Sequence, residues 1–305
     1  MRFDCASPRE IVQALTTGAP PSNIVYANPC KTVRDIRVAE YFGVRTTVVD
    51  SPEEVEKLSE AGWTGGTLIR LLVPDNGSAQ PFSKKFGAPA SWVPDILKAL
   101  SKNRLDHAGW SFHVGSMCKN ADQFSAALEM CATMQNQHTR DRVEKPITID
   151  VGGGFLPDVE SFKEAAAAIR SRSHLFPANT RWIAEPGRFI ATPVVTVETS
   201  VIGTKKSLDG AGYRYTVDES LYGAFSNIAF DGQRPYFRLL DHENRPLVRA
   251  TIFGRTCDSS DLLAETEMPK LEIGDRLQIE NMGAYSLVSS SDFNGFPAAN
   301  RIYKE

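Results

Sequence analysis

A chain of 305 residues with 42% hydrophobic and 23% charged side chains can bury a large core, a profile that excludes intrinsic disorder. The formal net charge of −3, with Lys and Arg in no long run, leaves no basic field for nucleic acid or for an anionic membrane surface. No stretch of about 18 apolar residues occurs, and "MRFDCASPREI" carries charge where a secretory signal needs an apolar core, so a cytoplasmic location is expected.

In chain order, "NIVYAN" precedes the amphipathic "KTVRDIRVAEYFG", "TTVVD" precedes "SPEEVEKLSEAG", and "GTLIRLLV" follows. The rhythm continues through "DHAGWSFHVG", the helical "NADQFSAALEMCATMQ", "PITIDVGG", the helical "DVESFKEAAAAIRS" and "TRWIAEPGRF". Strands alternating with helices predict a parallel sheet with right-handed crossovers, open or closed into a barrel. After about Phe189 helical periodicity nearly stops, and "VVTVETSVIG", "YRYTVDES", "VRATIFG" and "DRLQIENMGAYSLV" predict a mostly antiparallel β domain. The expected domains are residues 1–190 and 191–305.

Chemistry in parallel α/β folds sits where strands end. The strand ends carry Asp4, Asn28, Asp50, Arg70, His113, Gly152 to Gly154 and Glu185, with Arg188 close behind. Three consecutive glycines in "ITIDVGGGF" leave backbone N–H groups that no side chain guards, a surface suited to a phosphate. Beside a histidine, an acid and a cation, that cradle suits a phosphorylated aromatic cofactor. The cysteines Cys5, Cys30, Cys118, Cys131 and Cys257 are odd in number and form no CxxC pair, which argues against a disulfide framework and a structural zinc. No metal is expected.

The ordered motifs "FDCAS", "YANPCK", "SFHVGS", "DVGGGF", "AEPGR", "YGAF", "TCDSSD" and "ENMGAY" resemble the fold-type III pyridoxal-phosphate decarboxylases, most nearly the eukaryotic-type ornithine decarboxylases. The resemblance covers essentially the whole chain. It implies a (β/α)8-type, TIM-like barrel followed by a C-terminal β domain, and pyridoxal 5′-phosphate as cofactor. Glu185 would face the pyridine nitrogen, His113 would stack on the ring, and Ser116, Gly152, Gly153, Gly154 and Arg188 would hold the phosphate. Asp4, Arg70, Gly187 and Tyr285 would complete the cofactor site. Asp231 would bind the distal amine of the substrate, and Cys257 and Asp258 would reach into the partner subunit's site, Cys257 as proton donor. Two carboxylates select a diamino acid, ornithine first and lysine second, for polyamine biosynthesis. A racemase of the same fold type is disfavoured by "TCDSSD" and Asp231.

Lys85 and Asp261 match a pair that links subunits in the family, so a homodimer with shared sites is expected. The family's cofactor-bearing lysine lies on a strand just upstream of "FDCAS", and a chain starting at Met1 has no room for it. The barrel is therefore expected to lack its first strand. Three explanations stand open: a piece of a longer enzyme, a short form that binds a protein partner as the antizyme inhibitors do, or chemistry without that lysine. Lys31, Lys84 and Lys85 are candidate substitutes that match other family positions. Met117 in "GSMC" and Arg255 in "GRTC" depart from the family pattern and point to a specialised substrate.

Overall fold

The computed structural model describes residues 2–138, 146–240 and 244–303. The chain divides into two compact units, Met1–Pro186 and Gly187–Glu305.

In the first unit, strands and helices alternate: β1 (Phe3–Cys5), α1 (Pro8–Thr16), β2 (Ile24–Tyr26), α2 (Val33–Tyr41), β3 (Thr46–Val49), α3 (Pro52–Ala61), β4 (Gly66–Arg70), β5 (Ser78–Gln80), α4 (Val93–Lys102), β6 (Asp106–Ser111), β7 (Ser116–Cys118), α5 (Asp122–His138), β8 (Thr148–Asp150), α6 (Val159–Arg172) and β9 (Arg181–Ile183). Helix starts are written in the sequence. Ser7, Thr32, Ser51 and Asp158 each accept the amide three residues on, and Pro8 and Pro52 follow two of these caps. The resulting seven-stranded sheet runs β1-β2-β3-β4-β6-β8-β9, with every pair parallel.

That sheet curls. Val25, Val48 and Leu68 on β2 to β4 share one core cluster with Ile183 on β9 at the far end of the order, an approach a flat sheet forbids. Among the described residues β1 and β9 do not pair with each other, so the unit is a half-barrel of seven strands with two open edges. The small antiparallel sheet of β5 and β7 was not legible in the sequence, because each strand has only three residues.

The second unit contains α7 (Gly187–Ala191), β10 (Val197–Lys206), β11 (Tyr213–Val217), α8 (Ser226–Asp231), β12 (Arg238–Leu239), β13 (Leu247–Phe253), β14 (Leu262–Pro269) and β15 (Arg276–Ile279). Its sheet runs β12-β15-β10-β11-β13-β14. Every pair is antiparallel except β11 with β13, which is parallel. The core is its own, built on Val201, Tyr215, Val217, Phe225, Ile252, Leu277 and Ile279. Strand β14 is missing from the sequence reading because acidic residues at Glu265 and Glu267 interrupt its apolar pattern.

Candidate active site

In the first unit the loop after β8 is made of glycine because other backbone crowds it. Gly152 and Gly154 have φ of +61° and +103°, in the left-handed region. A Cβ on Gly152 would lie 2.2 Å from Phe112 O, and one on Gly154 2.5 Å from Gly115 O. At Gly153 it would meet His113 Nε2 at 2.8 Å and Glu185 O at 3.0 Å. The three glycines thus let the ends of β6, β8 and β9 converge. The Gly152 N–H departs from expectation: it donates to Asp150 Oδ1 at 2.9 Å rather than facing a ligand. Among the described residues, the amides of Gly153 and Gly154 donate to no protein acceptor.

His113 follows β6, and its Nδ1 accepts the Gly115 N–H at 2.9 Å. Burial, reinforced by the nearby Arg70 charge, pushes its pKa down to about 3, so the ring is neutral. Phe82 lies 4.7 Å from it, ring centre to ring centre. The loop carrying Phe82 is wound around buried Asp75, which accepts Phe82 N at 2.6 Å, Ser83 N at 2.8 Å and Ser83 Oγ at 2.9 Å. Ser116 is buried on β7, paired in register with Gln80. Neither Asp75 nor the β5–β7 pair figures in the sequence reading; an Asp seven residues before a half-buried Phe has no local signature.

Acids crowd the same sheet end. Asp4 is pushed up to about 7 by desolvation first, then by Asp150 and Glu10. Asp150 and Glu185 are likewise raised, chiefly by burial, and they hydrogen-bond to each other. Arg70 faces Glu185, Asp50, Asp4 and Asp150, and desolvation lowers its pKa. Lys31 is buried, with Nζ donating to Asn28 O and Val48 O at 2.8 Å each and pairing with Glu54 at 3.0 Å. Three partners hold that amine as part of the fold. Lys84 and Lys85 are exposed, and Lys85 lies over the Phe86 ring.

In the second unit, two residues expected to hold different ligands hold each other. Arg188 Nη1 and Nη2 donate to Asp231 Oδ2 and Oδ1 at 2.6 and 2.8 Å, with both side chains buried. Gln233 Nε2 adds a bond to Asp231 at 3.0 Å. The Arg188 guanidinium sits 4.9 Å from the centre of the Tyr285 ring. Tyr285 is half-exposed and has φ of +55°, a strained conformation for a tyrosine. A Cβ on Gly187 would meet nothing within its reach, so sterics give no reason for glycine there.

Cys257 and Asp258 occupy the loop between β13 and β14. Cys257 is exposed, and its N–H donates to Asn294 Oδ1 at 3.0 Å. The Tyr222 hydroxyl donates to Asp258 Oδ2 and the Ser260 N–H to Oδ1, which hold this carboxylate below its ordinary range. Asp261, expected to face a partner's Lys85, is 1% exposed within one chain and accepts from Leu221 N, Thr256 N and Thr256 Oγ1. Arg255 lies 4.5 Å from the Phe296 ring centre and donates to Pro297 O. Met117 has φ of +51°, so this departure from the family pattern falls at a left-handed turn.

These features fit pyridoxal 5′-phosphate on physical grounds. Two amides in a glycine cradle and a buried serine suit its phosphate, a neutral imidazole suits its ring face, and a raised carboxyl suits its basic nitrogen.

Residues 1–192 match the pyridoxal binding domain of pyridoxal-dependent decarboxylases, and residues 188–283 match their C-terminal sheet domain. The chain is 37% identical over 327 residues to the ornithine decarboxylase of Caenorhabditis elegans, covering 99% of this chain and 75% of that protein. It is 33% identical over 313 residues to antizyme inhibitor 2 of Xenopus laevis, covering 96% and 68%. Among solved structures, the Paramecium bursaria Chlorella virus arginine decarboxylase bound to agmatine superposes with a TM-score of 0.91 at 30% identity, covering 98% of this chain and 83% of that one. The lysine/ornithine decarboxylase of Vibrio vulnificus complexed with cadaverine gives 0.88 at 31% identity, covering 98% and 78%. With both family domains matched in order on a curled parallel half-barrel and a β-sheet unit, this chain belongs to the pyridoxal-dependent decarboxylases of fold type III, in their ornithine-decarboxylase-like group, and its cofactor is pyridoxal 5′-phosphate.

Proposed function

We propose that this protein decarboxylates a basic amino acid, ornithine ahead of lysine, to give a diamine for polyamine metabolism. The observation that carries the reading is Asp258: an acid held ionised by Tyr222 and Ser260 beside an exposed cysteine, on a loop open to solvent. An ionised carboxylate presented in this way recognises the distal ammonium of a diamino acid and discriminates against apolar side chains, which would leave it unpaired. In this reading Asp231 is the second such acid.

The cofactor supplies an electron sink for the pair left behind when the bond to the α-carboxylate breaks and carbon dioxide departs. The protein's own residues do the rest. In the first unit Ser116 and the amides of Gly153 and Gly154 would hold the phosphate, neutral His113 would cover the ring face, and Asp4 and Arg70 would lie beside the cofactor; of the second unit's residues, Arg188 is proposed for the phosphate and Gly187 and Tyr285 for the cofactor. Glu185 would keep a proton at the ring nitrogen, and Cys257 would deliver the thiol proton that replaces the lost carboxylate. Cys257 and Asp258 would serve the site of a second copy, so the proposed working form is a homodimer, placed in the cytoplasm.

The test is to incubate the protein with pyridoxal phosphate and ornithine, record the cofactor spectrum before and after borohydride, and assay carbon dioxide. Release of carbon dioxide, with a Michaelis constant for ornithine raised at least tenfold by Asp258→Asn, is the expected result. Gly153→Asp, which drives a carboxylate into His113 and Glu185, is expected to weaken cofactor binding at least tenfold. Unchanged binding would remove the glycine cradle from the site.

The Arg188–Asp231 pair favours a second reading, since each group already neutralises the other. There the protein is a regulatory binding protein of the antizyme-inhibitor kind, which takes an antizyme-like partner and needs no turnover. Capture of antizyme that survives Cys257→Ala, without carbon dioxide release from the unaltered protein, would establish it.

A further inference from the structure

The acids at the sheet end pose a problem of protons. Asp150 is wholly buried, at 0% exposure. Its Oδ1 accepts the Gly152 N–H, while its Oδ2 receives no N–H or hydroxyl from the described residues. The side chain that does reach Asp150 is the carboxyl of Glu185, in hydrogen-bond contact. Two carboxylates cannot hydrogen-bond without a proton between them, and burying both as anions costs far more than burying one acid beside one anion.

The backbone fixes this meeting. Asp150 and Ile183 are register partners on β8 and β9, Val151 N donates to Ile183 O at 3.0 Å, and Glu185 N donates to Gly152 O at 2.9 Å. Asp4 on β1 and Arg70 on β4 also interact with the pair, and Asp50 adds a further acid near Arg70. The guanidinium balances one anion, and Asp4 opposes a second.

We propose that Asp150 and Glu185 share one proton, with Asp150 a positioning residue that keeps Glu185 a carboxylic acid, its proton lying between the two groups until the cofactor's ring nitrogen takes it. This rests on the reading that Glu185 meets that nitrogen. On cofactor binding Glu185 would release that proton to the ring nitrogen, its Oε–H bond exchanged for a ring N–H bond with no change in total protons. The two carboxylates then face two cations, the pyridinium and Arg70. Asp150 lies outside every motif role considered above, and its function in this account is to set the protonation state of its neighbour.

Infrared spectroscopy of the protein without cofactor tests the first half. The spectrum is recorded above the pH at which Asp4 ionises, with Asp4→Asn as background control. A protonated-carboxyl carbonyl band that shifts in deuterium oxide is expected, lost in both Glu185→Gln and Asp150→Asn. Absence of the band from the unaltered protein, which needs no variant to fold, would overturn the proposal, as would its survival in a folded Asp150→Asn.

Affinity tests the second half, using pyridoxal phosphate against its analogue with carbon in place of the ring nitrogen. The unaltered protein is expected to prefer the nitrogen compound at least tenfold, and Asp150→Asn to lose most of that preference. An undiminished preference in Asp150→Asn would overturn the positioning role. A band that behaves as expected, beside a preference that Glu185→Gln leaves intact, upholds the shared proton and overturns the site reading it rests on.

Discussion

Asp4 on β1 and His113 just after β6 both belong to the first unit, and their pKa values are displaced in opposite senses. Asp4 is raised from 3.8 to about 7, so between those values the folded state holds more protons than the unfolded one and stability falls as pH rises. His113 is lowered from 6.5 to about 3, so the unfolded state holds more protons there and stability rises with pH. The two slopes oppose each other in mildly acid solution. Asp4→Asn is expected to steepen the gain in stability from about pH 3 to about pH 6.5, and His113→Gln to steepen the loss from about pH 4 to about pH 7, as urea titrations across pH will show. In the second unit, Arg188→Met strands the buried Asp231 and is expected to cost about 3–5 kcal/mol. Adding Asp231→Leu should recover most of that loss, which denaturant midpoints of the single and double variants will reveal. The residues of this ion pair are legible in the sequence through their motifs. Their pairing is not, because they lie 43 residues apart and carry charges equally suited to ligands.

At the scale of the element, legibility followed the length of the pattern. Helices α2, α3, α5 and α6 show both a hydrophobic period and polar residues at their starts, and the structure has them where expected. Of the three-residue strands, β2, β8 and β9 were read from their place in the β–α rhythm, β1 from its motif, and β5 and β7, which stand outside that rhythm, were missed. The loop closing β13 against β14 was read for its chemistry alone, yet Asp261 inside it takes three hydrogen bonds from its own chain. Asp261→Asn removes the charge and turns one of the two acceptor oxygens into an NH2 that must face the Leu221 N–H or the Thr256 N–H, and about 1–3 kcal/mol of stability should be lost. That loss should be the same at low and high protein concentration. A loss seen only where dimers form would return Asp261 to the interface pair first expected of it.

For the molecule as a whole, no helix among the described residues is long and apolar enough to cross a membrane. Sedimentation at micromolar concentration checks the dimer that the proposed shared site requires; a monomer under turnover conditions would oppose it. The order of the first sheet follows the order of its strands in sequence, which is why a repeated β–α rhythm sufficed to foresee it. The second sheet resisted, because its strand order interleaves distant segments and because β11 joins β13 in parallel. Parallel neighbours cannot be joined by a tight hairpin, so the chain must travel the length of the sheet before β13 begins. That return path, residues 218–246, carries Tyr222, α8, Asp231 and Gln233. Replacements in the stretch before β12, away from the core residues Phe225 and Phe237, leave the β10–β11–β13–β14 ladder untouched, so a lineage could retune which amine is accepted by rewriting that stretch while inheriting the ladder.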